Sequence, residues 1–157
     1  MILLKLFVPY RMVNLATRIS NAFSQTYRGE FKLAIPDWRL LACLGEYGKL
    51  NAKDIAELTL MDKSKVSRAV KQLEDKALLL RETDPKDNRA AYLSLTEAGH
   101  AQYRTISPKA LAWEEELLGV LDTNEYRNLM RIIEKLDNQV IKMAAQHHEI
   151  NQPHERD

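Results

Sequence analysis

The chain has 157 residues, a net charge of +1 at pH 7 and a single cysteine. A chain of this length can bury a core of its own and predicts one domain over residues 1–157, and one cysteine excludes an internal disulfide bond. It contains no run of about 18 apolar residues, which excludes a membrane-spanning helix. The apolar N-terminus has no basic flank before it, so we expect no signal peptide and a cytoplasmic location.

Charge is distributed unevenly along the chain. The first 96 residues carry 16 basic and 11 acidic side chains, whereas the rest carries 7 basic and 11 acidic ones. A basic half is typical of proteins with a polyanionic partner, but random scatter of surface charge gives the same imbalance. Charge alone leaves both interpretations open.

The first half of the chain is predicted to be mainly helical, because glycine and proline are sparse. The spacing of apolar residues predicts helices over residues 9–28, 36 to 45–48, 52–58 and 62–76. Pro36 suits the first turn of the second helix, and Asn51 and Asp62 are typical N-caps of the third and fourth. In the third helix, Ile55 and Leu58 are predicted to point inward.

In the second half of the chain, the spacing of apolar residues changes to that of strands and then returns to that of helices. In chain order, this spacing predicts a strand over 78–83, a turn over 84–88, a strand over 91–95 and helices over 97–121 and 123–147. The second strand alternates apolar and polar residues, as in a half-buried hairpin strand. Thr96 caps the fifth helix, and residues 122–125 have the spacing of a capping box at the start of the sixth.

This order of elements is that of a winged helix-turn-helix over residues 36–95, with 62–76 as the recognition helix and the hairpin as the wing. The predicted fold class is therefore mainly α. We expect a winged-helix DNA-binding lobe over residues 36–95 and a helical dimerisation lobe over residues 1–33 and 97–147.

The fourth helix has two contrasting faces. Its core-facing residues, spaced at i, i+3, i+4 and i+7, are Val66, Ala69, Val70 and Leu73. The opposite face carries four cations and two hydroxyls: Lys63, Ser64, Lys65, Ser67, Arg68 and Lys71. Lysine and arginine there can contact phosphates or guanine edges in a major groove. An ordinary solvated helix face usually mixes both signs of charge, so this face and the wing together favour DNA binding.

Several motifs extend this pattern: Pro9-Tyr10-Arg11, residues 35–41 (IPDWRLL), residues 61–68 (MDKSKVSR), residues 84–89 (DPKDNR) and residues 93–99 (LSLTEAG). Through them, residues 9–143 resemble the MarR family of bacterial transcription regulators. The wing followed by the Leu-Thr-Glu-x-Gly helix start is the most specific part, because many other winged helices lack it.

The resemblance implies a triangular homodimer in which the N-terminal helix and the last two helices pack against their mates. The recognition helices then reach successive major grooves, and the wings reach the flanking minor grooves. By the same resemblance, Arg89 is the wing-tip cation inserted into the minor groove. The resemblance also implies that Asp87 holds Arg89 by a salt bridge, and Lys86 is expected to add a phosphate contact.

Two positions depart from the family pattern. Asn88 stands where the family usually has an arginine, so one phosphate contact is expected to be missing. Ala77 stands where the family usually has a glycine after the recognition helix. Because glycine favours the left-handed C-cap, this helix is expected to end differently.

The dimer also has a basis in the residues themselves. Helices 1, 5 and 6 carry apolar residues that a 60-residue winged helix cannot cover, and the last helix has an alternating apolar seam. Packing of these helices within a monomer is the alternative.

The resemblance further implies a small-molecule effector, an aromatic acid or its thioester, bound in a cleft lined by helices 1, 2 and 5. The candidate ligand residues are Tyr10, Arg11, Phe23, Tyr27, Trp38 and Arg39. Aromatic rings supply stacking area, and arginine can bind a carboxylate. The simpler interpretation of any single aromatic is a core position.

Neither the cysteine nor the C-terminal histidines are predicted to have a catalytic, redox or metal-binding role. Cys43 lies among leucines and is interpreted as a core residue rather than a redox sensor. His147, His148 and His154 lie in a polar tail and are interpreted as solvated rather than as a metal site. The chain has no phosphate-binding glycine loop, zinc-protease motif or nucleophile elbow, so we predict no enzyme, no metal and no cofactor.

The sequence therefore predicts a ligand-responsive, homodimeric transcription regulator of the repressor type that binds a palindromic operator in double-stranded DNA. Its half-site centres would lie about 10 bp apart. The alternative is a helical dimer that acts through protein partners or carries a ligand, with a winged helix that does not bind DNA.

Overall fold

A computed structural model of the chain describes residues 1–87 and 91–150, with side chains described as far as residue 148. The elements are α1 (Val8–Arg28), α2 (Ile35–Tyr47), β1 (Leu50–Asn51), α3 (Ala52–Thr59), α4 (Lys63–Asp75), β2 (Leu79–Thr83), β3 (Ala91–Leu95), α5 (Glu97–Leu118) and α6 (Thr123–Ile150). The predicted fold class, mainly α with a wing, is confirmed. Two helix ends differ: α5 ends at Leu118 rather than at 121, and α6 continues to Ile150 rather than ending near 147.

The sheet has one strand more than the hairpin predicted. Its order is β1-β3-β2, and both pairings are antiparallel. The two-residue strand β1 pairs Leu50 with Leu93 and Asn51 with Tyr92. It ties the segment before α3 to the wing, so the wing is anchored on both sides of β3.

The core lies between α2, α4 and the sheet. The predicted inward face of α4 is confirmed, since all four of its apolar residues are buried. They pack in one cluster with Leu40, Leu41 and Leu44 of α2 and Leu93 of β3. This burial fixes which face of α4 meets solvent.

The inward prediction for Leu58 is wrong. Leu58 is 48% exposed, and Thr59 takes the inward position one turn after Ile55. The Thr59 hydroxyl donates to the Ile55 carbonyl over 2.6 Å, which satisfies its buried oxygen. The Thr59 carbonyl in turn accepts a hydrogen bond from the Arg39 guanidinium.

The predicted helix caps are confirmed. The side chains of Asn51 and Asp62 each accept the backbone N–H three residues later over 2.8 Å. Asp122 and Glu125 form a reciprocal capping box, with N···O distances of 2.9 and 2.8 Å. These bonds satisfy N–H groups that have no partner within the helix.

The end of α4 is not built as expected. Ala77 adopts the left-handed conformation, with φ of +57°. Its N–H donates to the Glu74 carbonyl over 2.8 Å, and the Leu78 N–H donates to the Leu73 carbonyl over 2.9 Å. These two bonds form a Schellman cap. The glycine-type helix end is therefore retained with alanine in the glycine position.

The start of α5 is bonded to this cap. Thr96 caps α5 as predicted, because its Oγ1 accepts the Gly99 N–H over 3.0 Å. The same hydroxyl donates to the Ala77 carbonyl over 2.8 Å, and the Thr96 N–H donates to the Leu78 carbonyl over 3.0 Å. A Cβ at Gly99 would lie 2.1 Å from the Leu78 carbonyl oxygen. Only glycine permits this approach of α5 to the base of the wing.

The chain divides into two compact units, Met1–Trp113 and Glu114–Asp157, with the boundary inside α5. The first unit contains the whole winged helix. The predicted lobes, 36–95 against 1–33 and 97–147, describe an assembly and stay a prediction. Within the described part of the chain, none of the helices combines the length and apolarity of a bilayer-spanning segment.

We predict that Ala77→Gly stabilises the fold. An L-residue in the left-handed region costs about 1–2 kcal/mol, which glycine relieves, while the extra freedom of glycine in the unfolded chain offsets part of the gain. Urea unfolding at fixed protein concentration should show a gain of about 1 kcal/mol. Ala101→Gly, in the exposed interior of α5, is the matched control and should lose about 1 kcal/mol. Destabilisation by Ala77→Gly would show that this cap does not form.

We predict that Gly99→Ala destabilises the fold by about 1–3 kcal/mol, because the added Cβ meets backbone that must move. Thermal unfolding followed by circular dichroism measures the loss. Gly29→Ala is the control, since a Cβ there has no neighbour within 4 Å. Equal melting temperatures for the two variants would refute the close approach of α5 to Leu78.

Candidate nucleic-acid interface

The predicted recognition surface is assembled on α4. Asp62 fixes the start of the helix and the buried row fixes its rotation, so the six predicted polar residues lie together on the outer face. All six are exposed: Lys63, Ser64, Lys65, Ser67, Arg68 and Lys71. Lys71 forms an ion pair with Asp75, with an N···O distance of 3.4 Å. Such exposed pairs are weak, so this face keeps its positive charge.

The structure describes the wing as far as Asp87 on one side of its tip and from Ala91 on the other. Lys86 and Asp87 are exposed at its edge, and the Lys86 N–H donates to the Asp84 carboxylate over 2.8 Å in a tight turn. Asn88 and Arg89 lie outside the described residues. The minor-groove role of Arg89 and its salt bridge to Asp87 therefore stay predictions.

An ion pair that the sequence did not reveal joins α4 to the wing. The Arg81 guanidinium of β2 donates two hydrogen bonds to the Glu74 carboxylate, over 2.9 and 3.1 Å. These bonds hold the pKa of Glu74 below its ordinary value of 4.5, although partial burial opposes the shift. The same bonds raise the pKa of Arg81. The two-point contact restrains the wing relative to the recognition helix.

Basic residues outside α4 lie beside it on both flanks. A depression on one flank is lined by Lys32 of the α1–α2 connection together with Lys65 and Arg68. A depression on the other flank is lined by Lys53 of α3 together with Lys63. Lys32 and Lys53 could not be predicted from the sequence, because a single lysine outside the fourth helix forms no recognisable pattern.

Four of the six candidate ligand residues line two depressions, and the ligand site itself stays a prediction. Tyr10 and Arg11 line a depression on α1 that also contains two further cations, Lys5 and Arg18. Trp38 and Arg39 line a different depression, at the surface of α2 and α3. Arg39 is also engaged by the Thr59 carbonyl.

Phe23, Tyr27 and Trp38 belong to an aromatic cluster that also includes Trp113. The Phe23 ring lies 5.3, 5.8 and 5.4 Å, centroid to centroid, from Tyr27, Trp38 and Trp113. Tyr27 is 1% exposed, and burial raises the pKa of its hydroxyl. The core interpretation fits Tyr27 best, whereas Phe23 and Trp38 are only partly buried.

Cys43 is 7% exposed, and burial raises the pKa of its thiol. Because the thiolate is the reactive form, this environment favours a packing role, as interpreted from the sequence. His147 and His148 lie on α6, and His154 lies outside the described residues. Within the described residues, no three His, Cys, Asp or Glu side chains are grouped as metal ligands would be.

Two stretches expose rows of large apolar side chains. In the N-terminal segment and the first half of α1 they are Met1, Ile2, Leu3, Leu4, Leu6, Phe7, Val8, Tyr10, Met12, Val13 and Leu15. In α6 they are Tyr126, Leu129, Met130, Ile132, Ile133, Leu136, Val140, Ile141 and Met143. Several large apolar side chains exposed along one segment are typical of an interaction site.

Known proteins share both the sequence pattern and the fold. The MarR family model matches residues 33–91. The HTH-type transcriptional regulator YdgJ of Bacillus subtilis is 26% identical over 106 residues. That match covers 68% of this chain and 65% of YdgJ, so the chain spans slightly less than two thirds of that relative.

Solved structures extend the similarity over nearly the whole chain. A MarR family transcriptional regulator from Silicibacter pomeroyi is 31% identical, with a TM-score of 0.73, over 83% of this chain and 87% of that one. A MarR/EmrR family regulator from Acinetobacter sp. ADP1 is 27% identical, with a TM-score of 0.82, over 90% and 99%. BpsR of Bordetella bronchiseptica, whose DNA binding is regulated by 6-hydroxynicotinic acid, is 23% identical, with a TM-score of 0.75, over 84% and 94%. At that identity BpsR supports the fold alone.

We predict that Glu74→Gln lowers stability at pH 7 by about 0.2–1 kcal/mol, the range for ion pairs at the protein surface. Because the pKa of Glu74 is lowered on folding, its contribution is complete above pH 4.5 and is lost as the pH falls through the folded-state value. Urea unfolding at pH 7 and at about pH 3 should therefore show a difference from wild type that disappears in acid. Glu57→Gln on the surface of α3 is the control. A difference independent of pH would exclude the ion pair as its cause.

Proposed function

Because the chain belongs to the MarR family of transcriptional regulators, we propose that it binds double-stranded DNA through α4 and the wing and represses transcription from the bound site. The observation that carries this proposal is the outer face of α4. From Lys63 to Lys71 it presents four cations and no acid, while the opposite face is wholly buried. Such a helix is held firmly and presents positive charge and hydrogen-bond donors, with no carboxylate, to a polyanion.

The dimensions of α4 suit the major groove. An α-helix with its side chains is about 10–12 Å across, and the major groove of B-DNA is about 12 Å wide. Ser64, Ser67 and Arg68 then face base edges or phosphates. The Glu74–Arg81 ion pair restrains the wing, whose Lys86 and Arg89 reach the flanking backbone and minor groove.

We propose that the protein acts as a homodimer in the cytoplasm. The apolar seam of α6 recurs at alternating steps of four and three, which suits helix–helix packing. Its members are Leu129, Ile133, Leu136, Val140 and Met143, between 36% and 63% exposed. A second copy with the same seam covers this surface. Two recognition helices related by a twofold axis then bind an inverted repeat with centres about 10 bp apart.

We propose that a small aromatic acid or its thioester regulates DNA binding. BpsR, a protein of the same fold, is regulated by a compound of this class. On this chain the depression containing Tyr10 and Arg11 offers three cations, with Lys5 and Arg18, to a carboxylate. An effector that binds the DNA-free protein more tightly than the DNA-bound protein lowers the affinity for DNA. The factor of this loss equals the ratio of the effector's two affinities.

The proposal predicts that the wild-type protein protects an inverted repeat upstream of its own gene in a DNase footprint at physiological salt. Arg68→Ala should weaken binding by about 1–3 kcal/mol if it reads a base edge. Lys135→Ala, on α6, is the control and should retain wild-type affinity.

Salt dependence separates this proposal from a protein-interaction module. A DNA-binding regulator loses affinity steeply between about 50 and 200 mM salt. Weak binding that is equal on the operator and on a scrambled duplex would contradict the proposal and favour a helical dimer that acts through protein partners.

A further inference from the structure

The two depressions beside α4 have a common composition. Each combines cations of α4 with one lysine from another element: Lys32 with Lys65 and Arg68, and Lys53 with Lys63. We propose that Lys32 and Lys53 form a two-sided phosphate clamp that holds the two DNA backbones bordering the major groove. This inference rests on the proposed insertion of α4 into that groove.

Lys32 is fixed relative to the end of α4. The Lys76 ammonium donates to the Lys32 carbonyl, and Lys32 adopts a left-handed backbone with φ of +56°. The next residue, Leu33, is buried, and its N–H donates to the Tyr27 carbonyl over 3.3 Å. The peptide unit that follows Lys32 is therefore held through both its carbonyl and its N–H, while the Lys32 side chain is exposed.

Lys53 is fixed on the other side of α4. It occupies the first turn of α3, directly after the Asn51 cap. Asn51 is itself paired with Tyr92 of the wing, and the buried Ile55 anchors the helix in the core. The Lys53 side chain is exposed, so it projects from a restrained backbone into solvent.

The charges of both lysines are available to an anion. Within residues 1–87 and 91–148, neither Lys32 nor Lys53 takes part in an ion pair. The carboxylate in the first depression, Asp37, is 5% exposed and accepts the Ala34 N–H over 2.9 Å. The third cation of the second depression, Arg81, is paired with Glu74.

The geometry of a major groove gives these positions a role. A helix nearly as wide as the groove brings residues on its two flanks toward the two phosphate backbones. Contacts with phosphates set the position of the helix and carry no sequence information themselves. Lysines on both flanks oppose lateral displacement of α4, so its base-reading side chains keep their register.

The test measures affinity for operator and scrambled duplexes between 50 and 200 mM salt, with Lys32→Gln, Lys53→Gln and the double variant. Each phosphate contact that a substitution removes reduces the slope of log affinity against log salt by about 0.9. A homodimer loses two contacts for each substitution, so its slope falls by about 1.8. Both duplexes should lose affinity by the same factor, so the operator-to-scrambled ratio stays unchanged. The double variant should lose about twice the slope of either single variant.

Lys32→Arg and Lys53→Arg keep the charge and should retain the wild-type slope, which separates charge from folding. Lys142→Gln on α6 is the matched control. A wild-type slope in the glutamine variants, or a loss confined to the operator, would overturn the clamp while leaving the regulator proposal intact. If the wild-type protein itself bound both duplexes weakly and equally, both proposals would be wrong.

Discussion

The arrangement of the proposed DNA-binding surface depends on the hydrogen-bonded junction at residues 77–78. There α4 ends in a Schellman cap, the wing begins, and Thr96, the N-cap of α5, is bonded to both. Leu78 donates to the carbonyl of Leu73 and accepts from the N–H of Thr96. Backbone groups that would otherwise be left unpaired at three element ends are thus satisfied by one another. This junction makes the helix, the wing and the start of α5 a single restrained unit.

Contacts farther from the junction extend this restraint. The Glu74–Arg81 ion pair spans the junction. Glu74 lies three residues before Ala77 on α4, and Arg81 lies three residues after Leu78 on β2. The short strand β1 holds the other side of β3. The cations of α4 are therefore presented by a scaffold with little freedom to reorient. Such a scaffold lowers the conformational entropy lost on binding.

Residue type and spacing predicted the features that depend only on residues close together in the chain. The caps at Asp62 and Thr96 and the buried row of α4 followed from residue type and spacing alone. The strand β1 was missed because two residues have no period and their partner lies about 40 residues away. Ala77 was misjudged because tertiary hydrogen bonds outweigh its intrinsic preference against a left-handed backbone. The ligand residues follow from the resemblance and stay a prediction, and Lys32 and Lys53 have no signature in the sequence.

The central claim is that α4 enters the major groove, and site-directed cleavage tests it most directly. A DNA-cleaving iron chelate attached at Ser67→Cys, in the middle of the exposed face, reports where the helix lies. Cys43, only 7% exposed, is the competing thiol, so the wild-type chain treated in the same way is the control. The account predicts two clusters of cuts, about one helical turn apart, inside the protected repeat. Cuts scattered along the duplex, or identical with and without the Ser67→Cys substitution, would contradict it.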